Sequence, residues 1–211
     1  LSKGMNRVTD TCIPEEQAIR KIEPLLISRW SQERAFPHEH IWAILDDVEF
    51  DMPAKSSWLV AAKEKNIPLI VPGWEDSTLG NMFAAACLKG EVDPNTVKSG
   101  IEYMIDFSKW YREQSSPVGM LQVGGGIAGD FPICVVPLLN QDMGLDVPKW
   151  QWFGQISESK ASYGGYSGAS PEEKISWGKL DVDTPKFHIE SDASIVLPLM
   201  LSYVMEGFYP H

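Results

Sequence analysis

Basic residues are in short supply: 18 Lys and Arg stand against 29 Asp and Glu, a formal net charge of −11 over 211 residues. Phosphate backbones are held by clustered Lys and Arg, so this balance argues against a nucleic-acid partner. Cysteine is scarcer still. Cys12, Cys87 and Cys134 are odd in number and lack CxxC spacing, which indicates neither a disulfide framework nor a zinc site. A reducing cytoplasm is the expected compartment. Cys87 and Cys134 lie in apolar runs and read as small buried hydrophobes. Among only four histidines, His38 and His40 lie two apart in a Pro-containing stretch and read as an exposed pair rather than a metal site. No apolar run approaches the length of a membrane span, and the first residues carry no signal-peptide pattern. Internal repeats and low-complexity tracts are missing too.

What the chain does have is alternation. Pro14-Glu-Glu16 suits a helix first turn, and a helix is expected to about Ser31. Further helices are expected from about Ala54 to Lys65, from Thr78 to near Gly90, from Asp93-Pro94 through Ser108, over Phe131–Asn140 and from Ala193 to Glu206. Strands are expected at Ile67–Val71, Val118–Val123, Trp150–Ile156 and Lys186–Glu190. The Gly-, Ser- and Tyr-rich stretch from Ser157 to Ser170 reads as a functional loop. Strands alternating with helices imply a mainly parallel sheet covered on both faces, with ligands at the carboxyl ends of the strands. A chain of this length buries a sizeable core, and one α/β domain over residues 1–211 is the expectation.

The densest chemistry lies in Pro171-Glu-Glu-Lys-Ile-Ser-Trp-Gly-Lys179. An amine is a good nucleophile only when neutral, and an apolar wall such as Trp177 lowers its pKa. Gly178 would let a substrate approach the backbone. On these residues alone, an exposed Lys behind a helix end explains the segment better. Gly124-Gly125-Gly126, between a strand and a helix, suits either a tight turn or a loop that takes a phosphate or ribose, and it is not the GxGxxG fingerprint. Asp192 reads as an N-cap or as an acceptor for a ribose diol, roles that compete for the same oxygens. Asp76 reads as a turn former. Ser170 and Glu173 have the spacing of a capping box.

In order along the chain, several blocks resemble the deoxyhypusine synthase family. They are Gly4-Met-Asn-Arg7 with Ile13-Pro14, Asn66–Ile70, Asp76–Gly80, Val123–Gly126, Pro171–Lys179, and Ser191–Ser194 with Pro198. The likeness runs from about Gly4 to the end of the last helix. It implies a Rossmann-like fold and a covalent imine on Lys179. It also implies NAD held by Asp76, Gly124, Gly125, Gly126, Tyr163, Asp192 and Ala193, and a polyamine such as spermidine or putrescine held by Asn81, Gly164, Gly165, Tyr166, Glu173 and Trp177. Family members are longer at the N-terminus, so a chain beginning at Leu1 is expected to be the C-terminal part of a larger protein. A homo-oligomer, a tetramer, is implied as well.

The departures from the family are specific. Asp130 stands where the family enzyme that modifies a protein carries a histidine used in substrate deprotonation. Two acidic positions that bind the polyamine fall on Asn81 and Tyr166, and one tied to the cofactor pocket falls on Tyr163. A pocket so altered is expected to take a different amine or acceptor. The expected activity is therefore NAD-dependent aminobutyl transfer through Lys179, to a small amine as in homospermidine synthesis or to a protein lysine. The alternatives are a non-catalytic partner subunit of an active homologue and an NAD-binding protein with unrelated chemistry.

Overall fold

The computed structural model describes residues 4–8, 10–18, 20–49, 53–160 and 164–208. It divides into two compact units, Leu1–Tyr103 and Met104–His211.

In the first unit, β1 (Met5–Val8) pairs antiparallel with β2 (Thr11–Pro14), Met5 opposite Pro14. The helix expected from Pro14 to Ser31 is broken into α1 (Glu15–Ala18), a 3-10 turn (Arg20–Ile22) and α2 (Glu23–Trp30). Pro24 explains the break: it has no N–H to donate and is tolerated only in the first turn of a new helix. The next helix, α3 (Pro37–Ile44), corrects the reading of the histidine pair as exposed. His40 is 1% exposed within the core, and the His38 Nδ1 lies 2.7 Å from the Tyr103 hydroxyl.

Two more helices follow, α4 (Trp58–Glu64) and α5 (Thr78–Leu88), and α6 (Gly100–Arg112) begins in this unit and has most of its length in the second. Ser57 and Ser77 cap α4 and α5. The helix expected from Asp93-Pro94 is only a 3-10 turn (Pro94–Thr96) before α6 begins. The strand expected at Ile67–Val71 is absent. Pro68 removes a donor, no described strand pairs with the run, and Ile67 and Val71 are 51% and 40% exposed. Leu26, Trp30, Ile44, Met82 and Phe83 form this unit's core.

The second unit is built on a parallel sheet in the order β3 (Gly119–Val123), β4 (Trp152–Ile156), β5 (Lys186–Ile189). Gly119 lies opposite Trp152 and Phe153 opposite Lys186. The central β4 is buried from Phe153 to Ile156, as a strand covered on both faces must be. On the edge strand β3, burial alternates, with Met120 and Gln122 turned inward. The expected Phe131–Asn140 helix is helical throughout but segmented, as α7 (Ile127–Ile133), α8 (Val135–Pro137) and a π turn (Leu138–Asp142), with Pro132 and Pro137 interrupting its bonds.

Ile133, Val135, Val136, Leu139, Trp150, Phe153 and Leu180 close the core between these helices and the sheet. Each such side chain contributes roughly 1.5–3 kcal/mol by leaving water. The short α9 (Gly165–Gly168) and α10 (Pro171–Ser176) lie between β4 and β5, and α11 (Ala193–Phe208) ends the unit. Because the strands are parallel, Gly124, Ser157 and Asp192 all emerge at one edge of the sheet. Among the described residues, no helix is long and apolar enough to cross a membrane.

Candidate active site

The way α10 stops is what positions Lys179. Trp177 closes the helix and Gly178 follows at φ +71°. The Gly178 N–H donates to Ile175 O at 2.9 Å and the Lys179 N–H to Lys174 O at 3.0 Å, the paired bonds of a Schellman stop. A Cβ at residue 178 would stand 2.7 Å from Gln141 Nε2. The turn therefore requires the glycine, and it folds Lys179 back against the protein.

Lys179 is 9% exposed, and its Nζ donates to Asp130 Oδ1 at 3.0 Å. Asp130 sits near the start of α7, just after the glycine turn. The Cys134 thiol points to the same carboxylate oxygen at 3.6 Å. Burial pushes that thiol's pKa up, and the Lys179 charge opposes the rise.

The apolar wall beside Lys179 is Tyr166, whose ring centroid lies 5.6 Å from Nζ. The expected wall, Trp177, is 66% exposed. Trp177 instead joins Asp130, Gly164, Gly165, Tyr166, Glu173, Lys174 and Lys179 in lining a cavity of about 480 Å³. The Tyr166 hydroxyl donates to Gln122 Oε1 at 2.6 Å, and its pKa is pushed up by burial and then by Asp130.

Glu173 does not act as a capping-box acid. The Ser170 side chain makes no cap bond, and only the Glu173 N–H turns back, to Ser170 O at 3.1 Å. Among the described residues its carboxylate has no hydrogen bond or ion pair, so it faces the cavity uncommitted. A second lysine is buried here. Lys174 is 2% exposed and donates to Ala169 O at 3.0 Å, with the rings of Phe153 and Tyr166 5.0 and 5.1 Å from its Nζ. Desolvation, then the Lys179 charge, pushes its pKa down to about 8.

The triple glycine is open on one side and packed on the other. Gly124 and Gly126 have φ of +80° and +73°, and a Cβ on either would meet nothing within 4 Å. Any side chain on Gly125 would collide with Ser167. The Gly124 carbonyl accepts from Gln122 Nε2 at 2.9 Å and Gln155 Nε2 at 3.3 Å, which fixes the turn to the sheet. Fully buried Gln155 keeps an Oε1 without a partner among the described residues.

Asp192 Oδ1 accepts from both the N–H and the hydroxyl of Ser194 at 2.7 Å, and these bonds draw its pKa down. It thus caps α11, whose first residue is Ala193, with one oxygen, while the other accepts no hydrogen bond among the described residues. The two roles expected to compete for Asp192 are compatible. The Gly124 N–H is itself bonded to Ile156 O at 2.7 Å, so what the turn offers a ribose–pyrophosphate ligand such as NAD is the empty space beside Gly124 and Gly126, on the same sheet edge as the Asp192 carboxylate.

Asp76 and Asn81 belong to the first unit. Asp76 donates its N–H to Gly73 O at 3.0 Å in the turn leading to α5, and Asn81 is exposed on that helix. Tyr163 lies outside the described residues.

The chain that carries this site is similar to known proteins along most of its length. The family profile described as deoxyhypusine synthase matches residues 1–204. The chain belongs to the deoxyhypusine synthase family. It is 32% identical over 146 residues to "Probable deoxyhypusine synthase 2" of Archaeoglobus fulgidus, covering 69% of this chain and 46% of that protein. It is 30% identical over 148 residues to the protein of the same name in Methanosarcina mazei, covering 70% of this chain and 41% of that one. A "Deoxyhypusine synthase-like protein" of Nostoc punctiforme is 30% identical over 173 residues, covering 78% of this chain and 43% of its own length. The chain thus spans less than half the length of each of these relatives.

Within this family member, sequence reasoning brought Lys179 and Asp130 forward, and they meet. It missed Lys174 and Cys134. Position 174 falls three residues after Pro171, and these are the two buried positions of α10, so a lysine stands where an apolar residue is the norm. That mismatch was the available signal. Cys134 offered none, because an apolar run is an ordinary place for a cysteine. Gln122 and Gln155, polar residues inside buried strands, were signals of the same kind as Lys174.

Proposed function

We propose that this chain carries the catalytic centre of an NAD-dependent aminobutyl transferase in which Lys179 holds the transferred group as an imine. The observation behind this reading is a lysine 9% exposed, ion-paired at 3.0 Å to Asp130 and lining a cavity. Gly124, Gly125, Gly126, Asp192 and Ala193 would hold NAD, with Asp76 and Tyr163 as further contacts. What the cofactor supplies when bound is acceptance of hydride from the amine carbon and its return at the end.

The protein's own groups do the rest. Glu173, with a free carboxylate, takes an ammonium of the donor, and the Trp177 face flanks the chain. Gly164, Gly165 and Tyr166 shape the cavity around it, and Asn81 replaces an acid that would bind a further charge. Asp130 accepts the Lys179 proton, and the neutral Nζ then adds to the imine carbon of the bound donor. The carbon–nitrogen bond to the leaving amine breaks as the bond to Nζ becomes the new imine. Asp130 returns its proton as the leaving amine departs. An acceptor amine repeats the exchange and frees Lys179. Electrons and protons balance across these two transiminations.

A small amine is the preferred acceptor, as in homospermidine synthesis, because Asn81 and Tyr166 are neutral where the protein-modifying enzyme has acids. Exposed Ile195, Leu199 and Tyr203 on α11 support assembly into a homo-oligomer, a tetramer by family likeness. The test is transfer of label from isotopically labelled putrescine or spermidine, with NAD, to added diamines or to an initiation factor 5A-type protein. Labelled product from wild type and none from Lys179→Arg is the expected result. NAD binding with no transfer, restored by a second, histidine-containing homologue, would favour a non-catalytic partner subunit instead.

A further inference from the structure

Lys174 is buried in the wall of the same cavity as Lys179, and the transfer chemistry has no use for it. The charged groups lining this space are two carboxylates, Asp130 and Glu173, and two lysines, Lys174 and Lys179. Asp130 is committed to Lys179 at 3.0 Å. Lys174 has no carboxylate partner among the described residues. A backbone carbonyl and two aromatic faces hold it in place. Among the described residues lining the cavity, Glu173 alone remains to neutralise an incoming charge.

We infer that Lys174 sets donor selectivity: it leaves the cavity able to accept one unreacted ammonium, and so favours a short diamine over a triamine. This rests on the amine-transfer reading above. A diamine that reacts at one end brings a single ammonium, which Glu173 can pair. A triamine brings two, and the second enters the field of Lys174 with no carboxylate left for it. Like charges at such distances in a partly desolvated site repel enough to matter, and specificity here comes from repulsion as much as attraction. The Tyr166 ring is the common wall, 5.1 Å from the Lys174 Nζ and 5.6 Å from that of Lys179. Lys174 therefore stands close to the reacting end as well.

The experiment is equilibrium binding of putrescine and of spermidine to the NAD-loaded, full-length protein, by calorimetry, for wild type and Lys174→Met. The ratio of spermidine to putrescine affinity should rise about tenfold in K174M, the effect of removing one buried like charge. A second measurement needs no variant. Raising pH from 7 to 9 should shift the wild-type ratio in the same direction, because Lys174, held near 8, loses its charge there. Lys179, Asp130, Glu173, Glu172 and Tyr166 surround Lys174 and are present in both proteins, so the K174M ratio, measured alongside, subtracts whatever they and the amines themselves contribute. Both amines binding with a ratio that neither K174M nor pH moves would overturn the inference and leave the transferase reading standing. Failure of either amine to bind either protein would overturn both.

Discussion

Replacing Lys174 by methionine should stabilise the fold, and by an amount that depends on pH. The side chain is 2% exposed, and its pKa falls from the ordinary 10.5 to about 8. That difference corresponds to about 3 kcal/mol lost by keeping the buried group charged at neutral pH. Methionine fills a similar volume but leaves Ala169 O without its 3.0 Å donor, which costs about 1 kcal/mol. A net gain of about 2 kcal/mol is expected below pH 8, or about 4–8 °C in Tm for a chain of this size.

The sign reverses with pH. The unfolded chain holds the Lys174 proton up to 10.5 and the folded chain only to about 8, so the wild type gains stability through that window while K174M does not. By the top of the window the variant should be the less stable of the two, by roughly the lost hydrogen bond. Urea denaturation of both proteins at pH 7 and pH 10 measures this. A stability gap that stays constant between the two pH values would refute the claim that Lys174 is buried as a charge.

Other changes act on single parts of the site. Asp130→Asn removes the proton acceptor beside Lys179 and should slow formation of the Lys179 adduct by about 10²–10⁴, measured by timed borohydride trapping; an unchanged rate would remove Asp130 from the mechanism. The same change should move stability by less than about 1 kcal/mol in urea denaturation, since the Asp130 side chain is half exposed. Gly178→Ala forces a left-handed alanine with its Cβ 2.7 Å from Gln141 Nε2 and should cost about 1–2 kcal/mol by the same assay. Gly125→Ala collides with Ser167, so the turn must shift, and NAD affinity by calorimetry should drop at least about tenfold. Asp192→Asn keeps an oxygen for the Ser194 N–H, so it should weaken NAD binding while costing less than about 1 kcal/mol of stability.

The parallel sheet was readable from sequence because β3 and β4 each combine mostly apolar residues with flanking turn residues, and β5 alternates Phe187 and Ile189 with polar residues. Burial on both faces of β4 is the physical origin of its apolar character. Ile67–Val71 carries a similar pattern, yet no strand among the described residues pairs with it. A strand is a property of a pair, and one segment cannot declare its partner. The break at Pro24 was visible in principle, but continuous apolar spacing around it suggested one helix.

At the site, Lys179 and Asp130 lie 49 positions apart, and only the fold brings them to 3.0 Å. Spacing could not show that Trp177 faces outward, because the Schellman stop at Gly178 decides where residues 177 and 179 point. Nor could it show that the capping-box spacing of Ser170 and Glu173 goes unused at the start of α10. The buried Lys174 was legible as a pattern violation, and such violations tend to mark function.

The central claim is a covalent amine centre at Lys179. The most direct measurement is peptide mass spectrometry of the full-length protein after incubation with NAD and putrescine or spermidine and reduction with borohydride. An aminobutyl adduct confined to Lys179, absent without NAD, is the predicted result. NAD bound, amine bound and Lys179 unmodified would contradict it.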